Sequence, residues 1–258
     1  MATSQTTERG IWFTQGGNGD PLLVLLHGLG ANSSVWKRMI AGVDRHWRGR
    51  WIAPDLRGHG RSIQRPPYGC AMHAADIADI IAKAAPSTIT LFGHSFGGVV
   101  AALVATGWFG FEVQDVAAIG VKIEWTADEV DKARALAQRP ARGFATREAA
   151  IAAYLKFSGL SGLVDPSSEA ALAGVTDADG DYRVAFDMRA FGAVGPSVER
   201  LLRLADPPIR LAAGARDPMV TLEHMRRIDS AAMVFPGVGH NAHWEAPEEV
   251  WTFLAKVG

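Results

Sequence analysis

The segment at residues 93–98 (GHSFGG) limits the possible folds of this chain more than any other stretch. It fits the pattern G-x-S-x-G and lies between an apolar run at residues 89–92 and an Ala- and Val-rich stretch from about residue 99. The apolar run predicts a buried strand, and the later stretch predicts a helix. Small residues around Ser95 let the backbone turn sharply between the two elements. We therefore predict a strand–turn–helix unit that raises the Ser95 hydroxyl above the end of a sheet.

Strand-like and helix-like stretches alternate on both sides of this unit. Residues 22–26 (LLVLL) form a continuous apolar run, which is typical of a strand buried on both faces. Such alternation predicts an α/β fold with a doubly wound, mostly parallel sheet that is covered by helices on both faces. The other predicted strands are residues 51–53, 116–123, 209–213 and 232–235, and the other predicted helices are residues 34–43, 72–85, those after Thr221 and those after Pro247.

The alternation is interrupted in the second half of the chain. Helix-start signals follow one another there, at Thr126 with Glu129, at Thr146, and at Asp165 before a proline. We predict a helical cap at residues 122–205, inserted into an α/β core of residues 1–121 and 206–258. The alternative, in which these helices belong to the outer layers of the sheet, stays open at this point.

The composition argues against several classes of protein. The chain has 26 Lys and Arg against 27 Asp and Glu, a formal net charge of −1. With no long basic run, we expect no nucleic-acid or membrane partner. No apolar run approaches the roughly 20 residues of a membrane helix, and the polar N-terminal residues do not resemble a signal peptide. The single cysteine, Cys70, excludes an internal disulfide. We expect a cytoplasmic protein, and a homodimer stays open.

The sequence also carries no motif for a metal or a nucleotide cofactor. It contains no HExxH, no CxxC and no carboxylate cluster with the spacing of metal ligands, so we expect no metal. The HGLG segment at residues 27–30 lacks the third glycine of a dinucleotide-binding turn. We therefore expect no cofactor, and the expected partner is a small-molecule substrate.

The order of the motifs resembles that of the α/β-hydrolase superfamily. The resemblance is strongest to the branch with a helical cap, which contains serine esterases, carbon–carbon bond hydrolases and cofactor-free perhydrolases. It covers about residues 11–121 and 206–258 and does not specify the substrate. In chain order the motifs are HGLG (27–30), DLRGHGRS (55–62), GHSFGG (93–98), GARDPMV (214–220) and GVGHNAHWEAP (237–247).

The resemblance implies a catalytic triad of Ser95, Asp217 and His240 in that chain order. Asp217 follows the strand predicted at residues 209–213, where the family places its acid. His240 lies between glycines in a loop that can bend over Ser95, and it would act as the base. Glu124 is the alternative acid, because some members place theirs after the preceding strand, and His243 is the alternative base.

Two backbone amides are candidates for an oxyanion hole. The amide of Phe96 follows the nucleophile at a helix N-terminus, and that of Leu29 lies in a loop that borders the nucleophile turn in such sheets. His27 lies in the same loop; we place it near the substrate pocket and expect its ring to act mainly as a structural hydrogen-bonding group.

We also assign Lys122, Glu124 and Trp125 to the substrate pocket. Lys122 and Glu124 lie two residues apart, so that both would point to one face of an extended strand near the cleft. Two interpretations stay open: the residues form a solvent-facing hinge pair, or Lys122 binds a carboxylate of the substrate. Seven aromatic residues lie in or beside the predicted cap, and we expect a minority to line the pocket: Trp125, Phe144, Tyr154, Phe157, Tyr182, Phe186 and Phe191.

The resulting functional hypothesis is a serine hydrolase that cleaves a carboxylic ester through an acyl-enzyme. Hydrolysis of a carbon–carbon bond, a lactone or an amide, and perhydrolysis, are alternatives that use the same triad. A small-molecule receptor of the same fold is the alternative of another class. Epoxide hydrolases and haloalkane dehalogenases of this superfamily carry an aspartate where this chain has Ser95, which argues against both. The acyl chain length cannot be derived from the sequence.

Overall fold

A mostly parallel sheet of eight strands forms the centre of the fold. It is seen in a computed structural model that describes residues 2–178, 180–195 and 197–255. The strands are β1 (Thr3–Thr6), β2 (Trp12–Gly16), β3 (Leu22–Leu26), β4 (Arg50–Pro54), β5 (Ile89–His94), β6 (Asp115–Ile119), β9 (Arg210–Gly214) and β10 (Met233–Phe235), and a separate hairpin is formed by β7 (Val175–Ala178) and β8 (Asp181–Val184). The order of the strands in the sheet is β1-β2-β4-β3-β5-β6-β9-β10. The pairs β1–β2 and β2–β4 are antiparallel, and the other neighbours are parallel.

Helices cover both faces of this sheet. Among the described residues, none of them is long and apolar enough to cross a membrane. They are α1 (Lys37–Ile40), α2 (Val43–His46), α3 (Cys70–Ala84), α4 (Phe96–Val104), α5 (Ala127–Ala137), α6 (Arg147–Phe157), α7 (Glu169–Leu172), α8 (Val198–Leu202), α9 (Leu222–Arg226), α10 (Ala242–Glu245) and α11 (Pro247–Leu254), together with 3₁₀ helices at Ser33–Trp36 and Met188–Ala193.

The central strand β3 shows why its sequence is apolar throughout. All five of its residues are buried, and they alternate between two hydrophobic clusters on opposite faces of the sheet. Leu22, Val24 and Leu26 pack with residues of α3, α4 and α8. Leu23 and Leu25 pack with residues of α1, α10 and α11. The prediction of a doubly wound α/β fold is therefore confirmed.

Three local features differ from the sequence-based expectation. The antiparallel strands β1 and β2 were not predicted, because they are short and mostly exposed or half-buried. Strand β6 ends at Ile119 rather than at residue 123, and Gly120 follows it with a φ of 66°. The Asp165 side chain accepts a hydrogen bond from the Ser167 amide in a turn, so that the next helix, α7, is capped by Ser168 instead.

The chain between β6 and β9 contains α5 to α8 and the β7–β8 hairpin. The helix starts predicted at Thr126 and Thr146 are present, and Thr126 forms a complete capping box with Glu129. The hairpin is an addition to the helices expected there. The division into a core and a cap at residues 122–205 stays a prediction.

Candidate active site

Ser95 lies at a strained turn between β5 and α4. Its φ and ψ angles are 51° and −118°, and Ser95 and Ala85 are the non-glycine residues with positive φ in the described part of the chain. Two hydrogen bonds hold the turn: the Ser95 amide donates to the Ile119 carbonyl at 2.9 Å, and the Gly98 amide donates to the Ser95 carbonyl at 2.9 Å. Such backbone strain costs about 1–3 kcal/mol, persists only where the surrounding structure fixes the residue, and is frequent at active sites.

Two glycines make this turn sterically possible. A Cβ atom on Gly93 would lie 2.3 Å from the Gly98 nitrogen, and one on Gly97 would lie 2.1 Å from the Leu26 carbonyl oxygen. Both distances are far below van der Waals contact. The G-x-S-x-G pattern is therefore required by the close approach of α4 to β5 and to the end of β3.

His240 and Asp217 meet on the loops that follow β10 and β9. The distance from His240 Nδ1 to Asp217 Oδ2 is 2.7 Å. The Asp217 side chain is 0% exposed, whereas that of His240 is 17% exposed. Asp217 is itself oriented by the Met219 amide, which donates to Oδ1 at 2.9 Å. With the Nδ1 proton donated to this carboxylate, Nε2 of His240 is left without a proton and can accept one.

Ser95 and His240 line one cavity of about 270 Å³. The two residues predicted to supply oxyanion amides, Leu29 and Phe96, line it as well. Phe96 is the first residue of α4, where backbone amides have no partner within the helix. A Cβ on Gly28 would lie 3.2 Å from the Ser95 Cβ, which shows how closely this loop borders the turn.

Aromatic side chains from the segment between β6 and β9 form part of the cavity wall. Trp125, Phe157 and Phe191 are the three of the seven predicted candidates that line the cavity. Tyr154 is instead buried and accepts a hydrogen bond from the Asn32 amide group at 3.2 Å. Phe186 packs behind the wall against Phe157, with ring centroids 5.3 Å apart.

The placement of His27 beside the pocket is corrected by the structure. His27 is fully buried and lies outside the residues that line the cavity. Its Nε2 accepts a hydrogen bond from the Leu56 amide at 2.9 Å, and its Nδ1 lies 2.8 Å from the Gly28 carbonyl. Burial lowers the pKa of His27 to about 4. The neutral ring therefore links two loops by hydrogen bonds, in the structural role expected of it from the sequence.

Glu124 is also placed away from the cavity lining. Its carboxylate pairs with Arg227 and lies 3.2 Å from His224 Nε2 on α9. Of the two residues expected to border the cleft together, Lys122 lines the cavity and Glu124 does not, although buried and less buried residues still alternate from Val121 to Glu124. Glu124 is likewise not the acid that contacts His240, since that contact is made by Asp217.

Lys122 and Trp125 do line the cavity. The Lys122 ammonium pairs with Glu129 and lies 4.9 Å from the centroid of the Trp125 ring. The hydrogen bond from Lys122 lowers the pKa of Glu129 to about 2. The sequence identified Glu129 only as part of the capping box of α5. That motif places its carboxylate at the N-terminus of α5, but it does not indicate the contact with Lys122.

Two further histidines surround the base. His94 Nε2 lies 3.0 Å from the His240 carbonyl oxygen, so that the residue before Ser95 contacts the loop that carries the base. His243 is 0% exposed and packs against Trp36 and His94, with ring centroids 4.7 and 4.4 Å apart. Burial lowers the pKa of His243 to about 3, which does not suit a base near neutral pH.

Two other cavity residues were missed as site residues by sequence reasoning. Cys70, at the first position of α3, lines the cavity and lies with its Sγ 3.6 Å from the Ala193 carbonyl oxygen. Lys156, at the end of α6, lines the cavity and is exposed. No local motif marks either position, because each reaches the cavity only through the packing of separate segments.

Comparisons with known proteins identify the family and the fold. The sequence profile of the alpha/beta hydrolase family matches residues 23–252. A pimeloyl-[acyl-carrier protein] methyl ester esterase of Yersinia pseudotuberculosis serotype O:1b (strain IP 31758) is 45% identical over 94 residues, which are 36% of this chain and 34% of that protein. The same enzyme of Pectobacterium carotovorum subsp. carotovorum (strain PC1) is 43% identical over 95 residues, with coverage of 36% and 34%. The matches thus span about a third of these relatives.

Solved structures resemble the chain over nearly its whole length. E-2-(acetamidomethylene)succinate hydrolase has a TM-score of 0.77 at 22% identity, covering 100% of this chain and 99% of that one. An esterase of M. tuberculosis has a TM-score of 0.79 at 19% identity, with coverage of 100% and 91%. An N-acyl homoserine lactonase has a TM-score of 0.73 at 20% identity, with coverage of 99% and 96%. At these identities the likeness concerns the fold. With its family profile matched over residues 23–252, the chain belongs to the alpha/beta hydrolase family.

Proposed function

We propose that this protein is a serine hydrolase that cleaves a carboxylic ester through an acyl-enzyme on Ser95. The observation that carries the proposal is the strained Ser95 turn in the same cavity as His240, whose imidazole is held by the fully buried Asp217 carboxylate. A serine, a histidine and a buried acid in this arrangement are what nucleophilic acyl transfer requires. The esterase names of the curated relatives support the same chemistry.

In the first half of the proposed reaction, Ser95 Oγ attacks the ester carbonyl. His240 takes the hydroxyl proton on Nε2, and the Asp217 carboxylate stabilises the imidazolium that forms. The carbonyl oxygen gains negative charge, which the amides of Leu29 and Phe96 would stabilise. Collapse of this intermediate breaks the bond to the alcohol oxygen, which leaves with the proton from His240.

In the second half, water replaces the alcohol. His240 takes a proton from the water, the resulting hydroxide attacks the acyl carbonyl, and Ser95 leaves with the proton returned by His240. The products are a carboxylic acid and an alcohol. The same groups would open a lactone, which is a cyclic ester, and the fold likeness to an N-acyl homoserine lactonase makes a lactone a useful test substrate.

We further propose that residues 122–205 form a cap that selects the acyl group. Trp125, Phe157 and Phe191 come from this segment and line the cavity together with core residues such as Val99. An apolar wall favours an acyl chain of hydrocarbon character. The cavity volume of about 270 Å³ suits a small or medium-sized substrate.

The proposal is tested with a panel of p-nitrophenyl esters from acetate to octanoate, together with a γ-lactone. The wild-type protein should hydrolyse at least one of them, and Ser95→Ala should abolish this activity without lowering the melting temperature. A fluorophosphonate label should map by peptide mass spectrometry to Ser95 and not to Ser158, the other serine of the cavity. Undiminished turnover in folded Ser95→Ala, or labelling at Ser158, would contradict the assignment.

A further inference from the structure

We propose that the Lys122–Glu129 ion pair makes this site selective for neutral esters, with Glu129 masking the cation that would otherwise attract an acidic substrate. The inference rests on the proposed function and specifies its substrate class. Glu129 is then a specificity-determining residue, although it does not itself line the cavity.

Lys122 is the less exposed of the two lysines that line the cavity. Its side chain is 16% exposed, its ammonium pairs with the Glu129 carboxylate, and it lies 4.9 Å from the centroid of the Trp125 ring. Lys156, the other lysine of the lining, is exposed to solvent, where water screens its charge. No aspartate or glutamate is among the described residues that line the cavity.

Glu129 is fixed in position by the start of α5. Its Oε1 faces Lys122, and its Oε2 accepts hydrogen bonds from the Thr126 amide at 3.0 Å and the Thr126 hydroxyl at 3.2 Å. The Glu129 amide in turn donates to the Thr126 hydroxyl at 3.2 Å. The carboxylate cannot turn away from Lys122 without also breaking its own hydrogen bonds to Thr126, which are half of the capping box.

These contacts disfavour an acidic substrate in two ways. A substrate carboxylate near Lys122 would have to displace Glu129 or lie beside it, and two carboxylates in one place repel each other. It would also lose its hydration against an apolar wall without gaining a free cation. A neutral acyl chain has neither cost and gains contact with the aromatic side chains.

Two esters of matched length separate charge from shape. The acidic one is mono-p-nitrophenyl adipate, and the neutral one is its methyl ester. Four proteins are compared: wild type, Glu129→Gln, Lys122→Met and the double variant. Glutamine preserves the capping box while it removes the negative charge, so that Glu129→Gln leaves α5 capped and Lys122 unmasked. The double variant is the matched control, because neither residue 122 nor residue 129 then carries a charge.

The quantity measured is kcat/KM for the acidic ester divided by kcat/KM for the neutral ester. Wild type should prefer the neutral ester. Glu129→Gln should raise the ratio about fivefold, the upper end for a charge pair with one solvent-accessible partner, since the Glu129 side chain is 36% exposed. The change should arise mainly through a lower KM for the acidic ester. The double variant should return to within about twofold of the wild-type ratio, and Lys122→Met, which leaves Glu129 unpaired, should lower it below the wild-type value.

Several outcomes would overturn this inference. One is a wild-type preference for the acidic ester that disappears in Lys122→Met, which would show that Lys122 binds a substrate carboxylate directly. Another is an unchanged ratio in folded Glu129→Gln; if that variant does not fold, an unchanged ratio in Lys122→Met is equally decisive. In each case turnover of the neutral ester persists, so the proposed function survives. Absence of turnover of both esters in all four proteins would instead overturn the proposed function and this inference with it.

Discussion

Acidification should destabilise this protein through imidazoles that are buried in their neutral form. Burial lowers the pKa of His27 to about 4 and those of His59, His73 and His243 to about 3. It also lowers the pKa of His94 well below its ordinary value. An unfolded chain exposes all of these rings, and their pKa values then return to about 6.5.

The sign follows from proton binding. Between pH 6.5 and the folded-state pKa, the unfolded chain binds more protons than the folded one, so that stability falls as the pH is lowered. The contribution of each neutral ring is fully present above pH 6.5. For His243, with a folded-state pKa of about 3, the loss between pH 8 and pH 5 is about 2 kcal/mol. Several such rings acting together would remove much of the free energy of unfolding, which is roughly 5–15 kcal/mol for a typical folded domain.

The variant His243→Leu isolates one of these contributions. Urea unfolding is followed by circular dichroism at pH 8 and at pH 5 for the wild-type protein and for the variant. The measurement at pH 8 records the packing change caused by leucine against Trp36 and His94, which does not depend on protonation. The free energy of unfolding should then fall by about 2 kcal/mol less in the variant than in wild type on going to pH 5. An equal fall in both proteins would refute the reasoning.

Four further changes test the site, with Phe144→Ala as a control for one of them. His240→Ala should lower kcat for the best p-nitrophenyl ester by about 10³-fold or more, in steady-state assays, without lowering the melting temperature. Asp217→Asn should also lower kcat strongly. Gly97→Ala should lower both activity and melting temperature, because its Cβ would lie 2.1 Å from the Leu26 carbonyl oxygen; wild-type values of both would contradict that geometry. Phe191→Ala should shift the chain-length preference toward longer acyl groups, because Phe191 lines the cavity. The control Phe144→Ala should cause no such shift, because Phe144 is not among the residues that line the cavity. Equal shifts in both variants would argue against a pocket at Phe191.

The parts of the fold that the sequence predicts well are those governed by neighbouring residues. The LLVLL run of β3 had to be buried on both faces, and the structure confirms this because its residues alternate between two clusters. The start of α5 is also predicted, since a capping box needs only Thr126 and Glu129 three residues later. In both cases the physical cause lies within a few residues of the pattern.

Features that depend on distant partners could not be derived in the same way. Strand β8 pairs with β7, and Tyr182 within it exchanges backbone hydrogen bonds with Phe144, which lies far away in the sequence. The strands of this hairpin are four residues each, so that the polar–apolar alternation of β8 is too short to distinguish a strand from a loop by itself. Similarly, nothing near Asp217 indicates His240; their contact arises because parallel strands bring their carboxyl ends to one edge of the sheet.

Glu129 makes two contacts at once, one within the capping box of α5 and one with Lys122, which lies outside the helix. A capping box uses a single carboxylate oxygen, and here Oε2 serves that role by accepting from Thr126. The other oxygen, Oε1, accepts a hydrogen bond from Lys122, which lies after β6 and lines the cavity. The local pattern therefore predicts where the carboxylate lies but not what it neutralises. That second contact depends on the path of the chain between the end of β6 at Ile119 and the start of α5 at Ala127, which no short sequence pattern specifies.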